Sequence, residues 1–271
     1  MEEIEANRRA WDERAVIHRR DATGFYRLDA LRAGRDPLTM IEAEGLGDVA
    51  GLRVVHLQCH IGTDTIGLAR RGARAVGLDF SGEAIAAARV LAAECGVDAE
   101  FVQADVHDAR AALDGAFDLV FVTWGALPWL PDMARWAAVV ASLLAPGGAL
   151  FLAEQHPSFV TLAEEDGRLT PHYDWRTAPD RPVVTQETRT YTGDPTPLRN
   201  TEHHSWDHPL SEVIGGLLGA GLRLTSFREH EALPWSHVPM MRDGGDGLYR
   251  LPEGMPRMPL SYSLRAEKPR G

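Results

Sequence analysis

Acids and histidines fall at the ends of apolar runs in this 271-residue chain. Asp79 closes "ARAVGLDF", Asp105 closes "AEFVQADV", and Glu154 lies in "ALFLAEQH". An earlier run, "RVVHLQ", leads into the turn Gln58-Cys59-His60-Ile61-Gly62. A strand, a turn, a helix and a second strand ending in an acid form the opening of a nucleotide-binding unit, where the acid accepts hydrogen bonds from ribose hydroxyls. Asp79 stands at that place; the alternative is that it only caps the following helix. His156 follows "ALFLAEQ", and His203, His204 and His208 crowd into "NTEHHSWDHPLSE". An imidazole accepts protons near neutral pH, so these are candidate bases. The alternative is that these residues are ordinary polar surface and caps. Imidazoles and carboxylates also ligate metals, but the spacing matches no zinc motif and no metal is expected.

The elements that must position these residues follow from periodicity. The first ~20 residues predict an amphipathic helix with Ile4, Trp11, Ala15 and His18 toward one side. Strand-like "RVVHLQ", "ARAVGLDF", "AEFVQADV", "FDLVFVTWG" and "ALFLAEQH" alternate with helix-like segments such as "TDTIGLARR" and "PDMARWAAVVASLLAPGG". Ser81 is placed to cap one helix, Gly72 and Gly96 to end two, and Pro146-Gly147-Gly148 to stop another. Such alternation predicts an α/β fold, a doubly wound, mostly parallel sheet. After His156 the pattern breaks. Residues 157–206 show little periodicity apart from strand-like "QETRTYT". A helix returns at "LSEVIGGLLGAG", then a strand at "LRLTSFREH", a second irregular stretch, and a last strand at "LSYSLRAE". The tail strands are expected to add an antiparallel edge. The irregular stretches are too long for plain connectors and read as a lid over the site. The expected organisation is an N-terminal helical lid over 1–45, a core over 46–156 and 207–271, and an inserted lid segment over 157–206.

Composition narrows the partners. The formal net charge of −11 argues against a nucleic-acid binder, whose affinity rests on clustered Lys and Arg. Two cysteines give no disulfide framework, so a cytoplasmic setting is expected. The charged N-terminus has no apolar signal core, and no apolar run approaches the ~18 residues of a membrane span. No membrane partner is expected, and oligomeric state stays open.

The motifs together resemble the class I S-adenosylmethionine-dependent methyltransferases. "VVHLQCHIG" stands where that family has an apolar strand, an acid and a glycine-rich turn; "VGLDFSGEAIAAAR", "FVQADVHD", "FDLVFVTWGALPWLPD" and "LLAPGGALFLAEQHP" resemble its second to fifth strand motifs. The resemblance covers roughly 11–157, and more loosely the elements from 210 onward. It implies a Rossmann-like, seven-stranded sheet and S-adenosyl-L-methionine as cofactor, with S-adenosyl-L-homocysteine as product. It places the ribose on Asp79 with Phe80, the adenine amine on Asp105 with Val106 beside it, and the rest of the donor along Gln58, His60, Gly62 and Thr123. The sequence departs from the pattern where His56 replaces the usual acid and where Gln58 and His60 replace two glycines. In dinucleotide sites a glycine lets the backbone approach pyrophosphate; S-adenosylmethionine has no phosphate, so the turn still suits it. His56 and His60 also read as histidines that only order the turn, and Cys59 as a packed thiol.

The implied reaction is methyl transfer to N or O of a small acceptor, of aromatic or amphipathic character. Its expected catalytic residues are His156, His203 and His204; its expected acceptor walls are Tyr26, Trp124, Trp206 and Trp235. Two alternatives stand beside it. One is a fold relative that binds the same donor for another reaction or for regulation. The other is a nicotinamide-dependent oxidoreductase, against which the missing G-x-G-x-x-G counts.

Overall fold

The computed structural model describes residues 2–271. Seven strands build the main sheet: β1 (Arg53–Leu57), β2 (Arg74–Asp79), β3 (Glu100–Gln103), β4 (Phe117–Thr123), β5 (Leu144–Gln155), β6 (Arg223–His230) and β7 (Ser261–Glu267). Their order is β6-β7-β5-β4-β1-β2-β3. The doubly wound, mostly parallel sheet is therefore as expected. The strand order reverses between β1 and β4, the switch point at whose carboxyl edge such sheets bind ligands.

The tail departs from the expected antiparallel edge. Only β7 is antiparallel, and it lies inside the sheet between β5 and β6. After β6 no helix carries the chain back across the sheet, so the next strand must run in reverse. Seven helices matter to the site: α1 (Glu2–His18), α2 (Leu28–Arg32), α3 (Met40–Leu46), α4 (Thr63–Arg70), α5 (Gly82–Glu94), α6 (Met133–Leu143) and α7 (Leu210–Gly219). Strand alternation splits the core. Val55, Val120, Val122 and Leu152 pack against Trp136 and Val140 of α6 and Leu217 of α7. Val54, Phe121 and Phe151 pack against Ile41 of α3 and Leu68 of α4 on the other face.

Two boundaries differ from the sequence reading. Helix α6 ends at Leu143, and β5 begins at Leu144, before the Pro-Gly-Gly stop. The strand expected over "QETRTYT" is instead Val183–Gln186, paired with Glu202–Ser205. Beyond Gln186 the chain folds back onto α1, burying Thr190 against His18 while Tyr191 stays half exposed beside Tyr26. That helix buries Asn7, Ala10, Arg14, Ala15, Ile17 and His18. Half of that stripe is polar, which is why apolar periodicity describes it poorly. Of the stripe expected from sequence, Ala15 and His18 are buried, while Ile4 and Trp11 are only partly so.

Candidate functional site

The turn after β1 keeps a glycine-like backbone without the glycines. Gln58, His60 and Gly62 all have positive φ, at 57°, 48° and 79°. For a residue with a Cβ this region costs roughly 1–2 kcal/mol, so neighbours must hold it. The Gln58 side chain donates from Nε2 to the Ala126 carbonyl at 2.7 Å. The Cys59 N–H donates to the Leu78 carbonyl at 3.0 Å, and the His60 N–H to Asp79 Oδ2 at 2.9 Å. Gly62 has no such latitude, because a Cβ there would lie 2.7 Å from the Phe101 ring and 2.8 Å from Ala88. His56, in place of an acid, is buried beneath the turn with Nδ1 3.0 Å from Thr65 Oγ1. Burial pushes its pKa down to about 3, so it is neutral. Cys59 is buried and its thiol is pushed well up by burial, which leaves it unreactive.

Acids line the carboxyl edge beyond this turn. Asp79 is buried; Oδ2 accepts from His60 and Oδ1 from the Ser81 N–H at 2.9 Å. Burial pushes its pKa up to about 6, against the pull of those donors. Asp105 uses Oδ1 for the His107 N–H at 2.8 Å and is 2.9 Å from His107 Nδ1. Burial would raise Asp105, but its bonds with His107 prevail and hold it below the ordinary carboxylate range. Val106 is buried beside it, and the Phe80 carbonyl accepts from Gln103 Nε2 at 3.3 Å. Glu154 does different work. It accepts from the N–H groups of Gly125, Ala126, Leu127 and Gln155 and so fastens the turn after β4.

A second pair of acids lies beside this edge, unmarked by any pattern in the sequence. Asp64, in the first turn of α4, accepts from Thr123 Oγ1 at 3.1 Å and Thr63 Oγ1 at 3.3 Å. Burial pushes it up to about 7, with the nearby Glu42 charge adding to the effect. Glu42 of α3 is buried, accepts from the Trp124 indole N–H and from Thr39, and is likewise raised by burial. The available signal was positional: Asp64 sits just past Gly62, where the helix opens.

Helix α1 roofs the turn. Asp12 accepts from Ser81 Oγ at 2.7 Å, which ties α1 to the start of α5. Trp11 meets His60 and Trp129 edge-on, each with ring centroids 5.2 Å apart. His18 Nδ1 lies 2.8 Å from His60 Nε2 and 3.2 Å from the Tyr26 hydroxyl, which is hydrogen-bonded to Tyr191. Burial lowers His18 to about 2 and His60 to about 3, so the ring of aromatic groups is uncharged. His203 joins it, 5.5 Å from Trp129, with Arg14 Nη2 3.2 Å from its Nδ1. Two cavities of about 280 Å³ lie outside this ring, one lined by Glu44, Glu231 and Arg250, the other by Arg19, Arg32 and Val90.

Comparison with known proteins bears on this edge directly. Residues 54–148, which run from β1 into β5, match the family model of the methyltransferase domain. This stretch is a methyltransferase domain. The ubiquinone biosynthesis O-methyltransferase of Cronobacter sakazakii is 34% identical over 129 residues, 48% of this chain and 50% of that protein. Its Escherichia coli counterpart is 31% identical over 129 residues, 48% of this chain and 51% of that protein. The chain spans about half the length of these curated relatives. Among solved structures, an S-adenosylmethionine-dependent methyltransferase from Mesorhizobium loti shares the fold at TM-score 0.56 and 20% identity, over 92% of this chain and 99% of that one. A glycopeptide N-methyltransferase complexed with S-adenosylmethionine does so at TM-score 0.54 and 19% identity, over 91% and 94%.

Around the methyltransferase domain the expected acceptor residues fall into separate groups. Trp124 and Trp235 meet with ring centroids 6.0 Å apart, beside Glu42. Tyr26 and His203 belong to the ring beneath α1. Trp206 is buried elsewhere; its N–H donates to the Pro128 carbonyl at 2.8 Å and its indole to the Pro179 carbonyl at 3.1 Å. His156 packs on Tyr262 of β7, with Nδ1 accepting from the Ser158 N–H at 3.2 Å and Nε2 3.2 Å from Glu229. Among the described residues no ring contact joins His156 to Trp124 or Trp206. His204 points the opposite way from His203, with Nε2 3.3 Å from Glu202 and its backbone held by Asn7. Among the described residues no three His, Cys, Asp or Glu side chains gather to hold a metal ion, and no helix is long and apolar enough to cross a membrane.

Proposed function

We propose that this chain is an S-adenosylmethionine-dependent methyltransferase that acts on N or O of a small molecule. The observation that carries the reading is the carboxyl edge itself. Three left-handed residues shape the β1 turn, and Asp79 and Asp105 follow at the ends of the next two strands. The donor set suits this cofactor. Asp79 offers a buried carboxylate for two ribose hydroxyls, Asp105 keeps Oδ2 for an adenine amine, and the turn 58–62 carries no lysine or arginine for a phosphate. Val106 and Phe80 would flank the base; Gln58, His60, Gly62 and Thr123 would border the remainder. The bound cofactor supplies a methyl group on a sulfonium with a good leaving group. The protein's own share is alignment and exclusion of water, worth on the order of 7–11 kcal/mol when the geometry is right.

The lid assignment follows from the same edge. Helix α1 and the segment 157–206 cover it, and α1 must lift for a nucleoside to reach Asp79. Trp124 and Trp235 on one side, and Tyr26, Trp129 and His203 on the other, would frame an acceptor; Trp206 supports Pro128 from behind. The histidines favour positioning over proton abstraction. Arg14 faces His203 Nδ1, the Ser158 N–H occupies His156 Nδ1, and His204 Nδ1 is buried. An acceptor that arrives deprotonated suits such a site. The oxygen and nitrogen chemistries in the names of the relatives are both compatible with it.

The test is transfer from a methyl-labelled donor into a fractionated metabolite extract. Labelled product that depends on the protein is expected. A protein that binds the donor yet labels no acceptor would instead be a donor-binding relative with another role.

A further inference from the structure

Among the described residues, α1 makes more polar bonds to the inserted segment than to the core beneath it. The strands Val183–Gln186 and Glu202–Ser205 form a two-stranded ribbon. Its base is pinned to the turn after β4: the Trp206 N–H donates to the Pro128 carbonyl at 2.8 Å, and His208 Nε2 lies 2.7 Å from the Leu130 carbonyl. From base to tip the ribbon is bonded to α1. Asn7 pairs with the His204 backbone in both directions, at 2.8 Å each. Glu13 accepts from the Asn200 N–H at 2.8 Å, the Arg199 N–H at 2.9 Å and the Asn200 side chain at 3.0 Å. Arg14, only 3% exposed, donates to Glu187 at 3.0 Å and to His203 Nδ1 at 3.2 Å. Parting α1 from the ribbon would strand a buried guanidinium without its carboxylate, which is costly. The ties from α1 to the core are fewer. Asp12 accepts from Ser81 Oγ at 2.7 Å and from the Glu83 N–H at 3.4 Å; His18 Nδ1 lies 2.8 Å from His60 Nε2; Trp11 adds its ring contacts. The apolar cluster around α5 takes Ala15, a small side chain, from α1.

We propose that α1 and the ribbon 183–205 form one rigid lid, so that a single opening uncovers the donor turn and the acceptor side together. The inference rests on the donor reading above and deepens it. Opening breaks the Asp12–Ser81 and His18–His60 contacts and keeps every bond between α1 and the ribbon. The lid turns at two places. One is the link just past α1, where the Asp21 carboxylate accepts from the Tyr26 and Leu28 N–H groups and fixes the chain beyond it. The other is the ribbon base, where the Trp206 indole is bonded to the Pro179 carbonyl. Helix α1 covers His60, which holds Asp79, and the ribbon carries His203. Neither ligand can then enter or leave without exposing the site of the other.

Two cross-links in the full chain test this, in a Cys95→Ser background because Cys59 is buried and Cys95 is less so. In the first, Asp12→Cys and Ser81→Cys are joined as a disulfide, which ties α1 to α5. In the second, Glu13→Cys and Asn200→Cys are joined by a short bifunctional thiol reagent, which ties α1 to the ribbon. Association of S-adenosylhomocysteine is followed by stopped-flow tryptophan fluorescence, with each uncrosslinked double variant as its control. The first cross-link should slow association by about 100-fold or more, the factor when the open state falls to a hundredth of its population, and reductant should restore it. The second should leave association unchanged. A second cross-link that blocks association as the first does would show that α1 lifts away from the ribbon, and overturns the proposal. So does a first cross-link without effect. Hydrogen exchange at residues 58–62 in the ligand-free chain makes the same comparison without the donor: it should be slowed by the first cross-link and not by the second. That pattern in a chain that binds no S-adenosylhomocysteine would uphold the lid and sink the donor reading; its absence would sink the lid whatever the chain binds.

Discussion

The His60 backbone N–H donates to Asp79 Oδ2 at 2.9 Å. This bond joins the turn after β1 to the end of β2 and orients the carboxylate. It also helps hold His60 in a left-handed conformation that a glycine would adopt freely. The histidine side chain is held in turn by His18 from the roof. The altered turn is thus coupled to α1, whereas a glycine turn would have no such handle.

Asp79→Asn keeps one acceptor oxygen but puts an amide against backbone donors and ribose hydroxyls. Affinity for S-adenosylhomocysteine should fall by roughly 1.5–3 kcal/mol. Unchanged affinity with the fold intact, measured by calorimetry, would remove Asp79 from the donor site.

Asp105→Asn places a mixed donor and acceptor against the adenine amine, so binding should weaken. A donor analogue without that amine should lose little more on the same substitution. Simple addition of the two losses would mean that Asp105 and the amine do not touch.

Asp64 gives the fold a pH signature. Its pKa is about 7 in the folded chain, against 3.8 ordinarily. Between those values the native state holds a proton that the unfolded state lacks, so its contribution to stability declines as pH rises from about 4 to about 7 and is then constant. Asp64→Asn removes that decline. The variant's advantage in Tm over the wild type should grow from pH 5 to pH 8, to on the order of 5 °C for about 2 kcal/mol. A Tm difference independent of pH would place the carboxylate in water.

His156→Asn can still accept from the Ser158 N–H, since asparagine caps helices well. Turnover should stay within a few-fold of wild type. A fall of about 10²–10⁴ without loss of donor affinity would make His156 the base after all.

Much of this was legible in sequence because it rests on local pattern. Alternating apolar runs marked the parallel strands, and acids at or just past the ends of two of them marked Asp79 and Asp105 as candidates. What stayed hidden depends on contacts between distant segments. Thr190 and Tyr191 meet His18 only because the chain folds back onto α1, and no periodicity marks that. In sequence nothing distinguishes Asp64 from other polar residues in the first turn of a helix; its surroundings come from Glu42 and Thr123, brought in from α3 and β4. The histidines of "NTEHHSWDH" look alike in sequence. Strand alternation sends His203 toward Trp129 and His204 toward the opposite side.

The identity of the donor is the point on which the rest depends. Calorimetric titration of the purified chain with S-adenosylhomocysteine and, separately, with NAD measures it directly. One-to-one binding of the first, weakened by Asp79→Asn, with no heat from the second, is expected. Binding of NAD without binding of S-adenosylhomocysteine would contradict the methyltransferase reading.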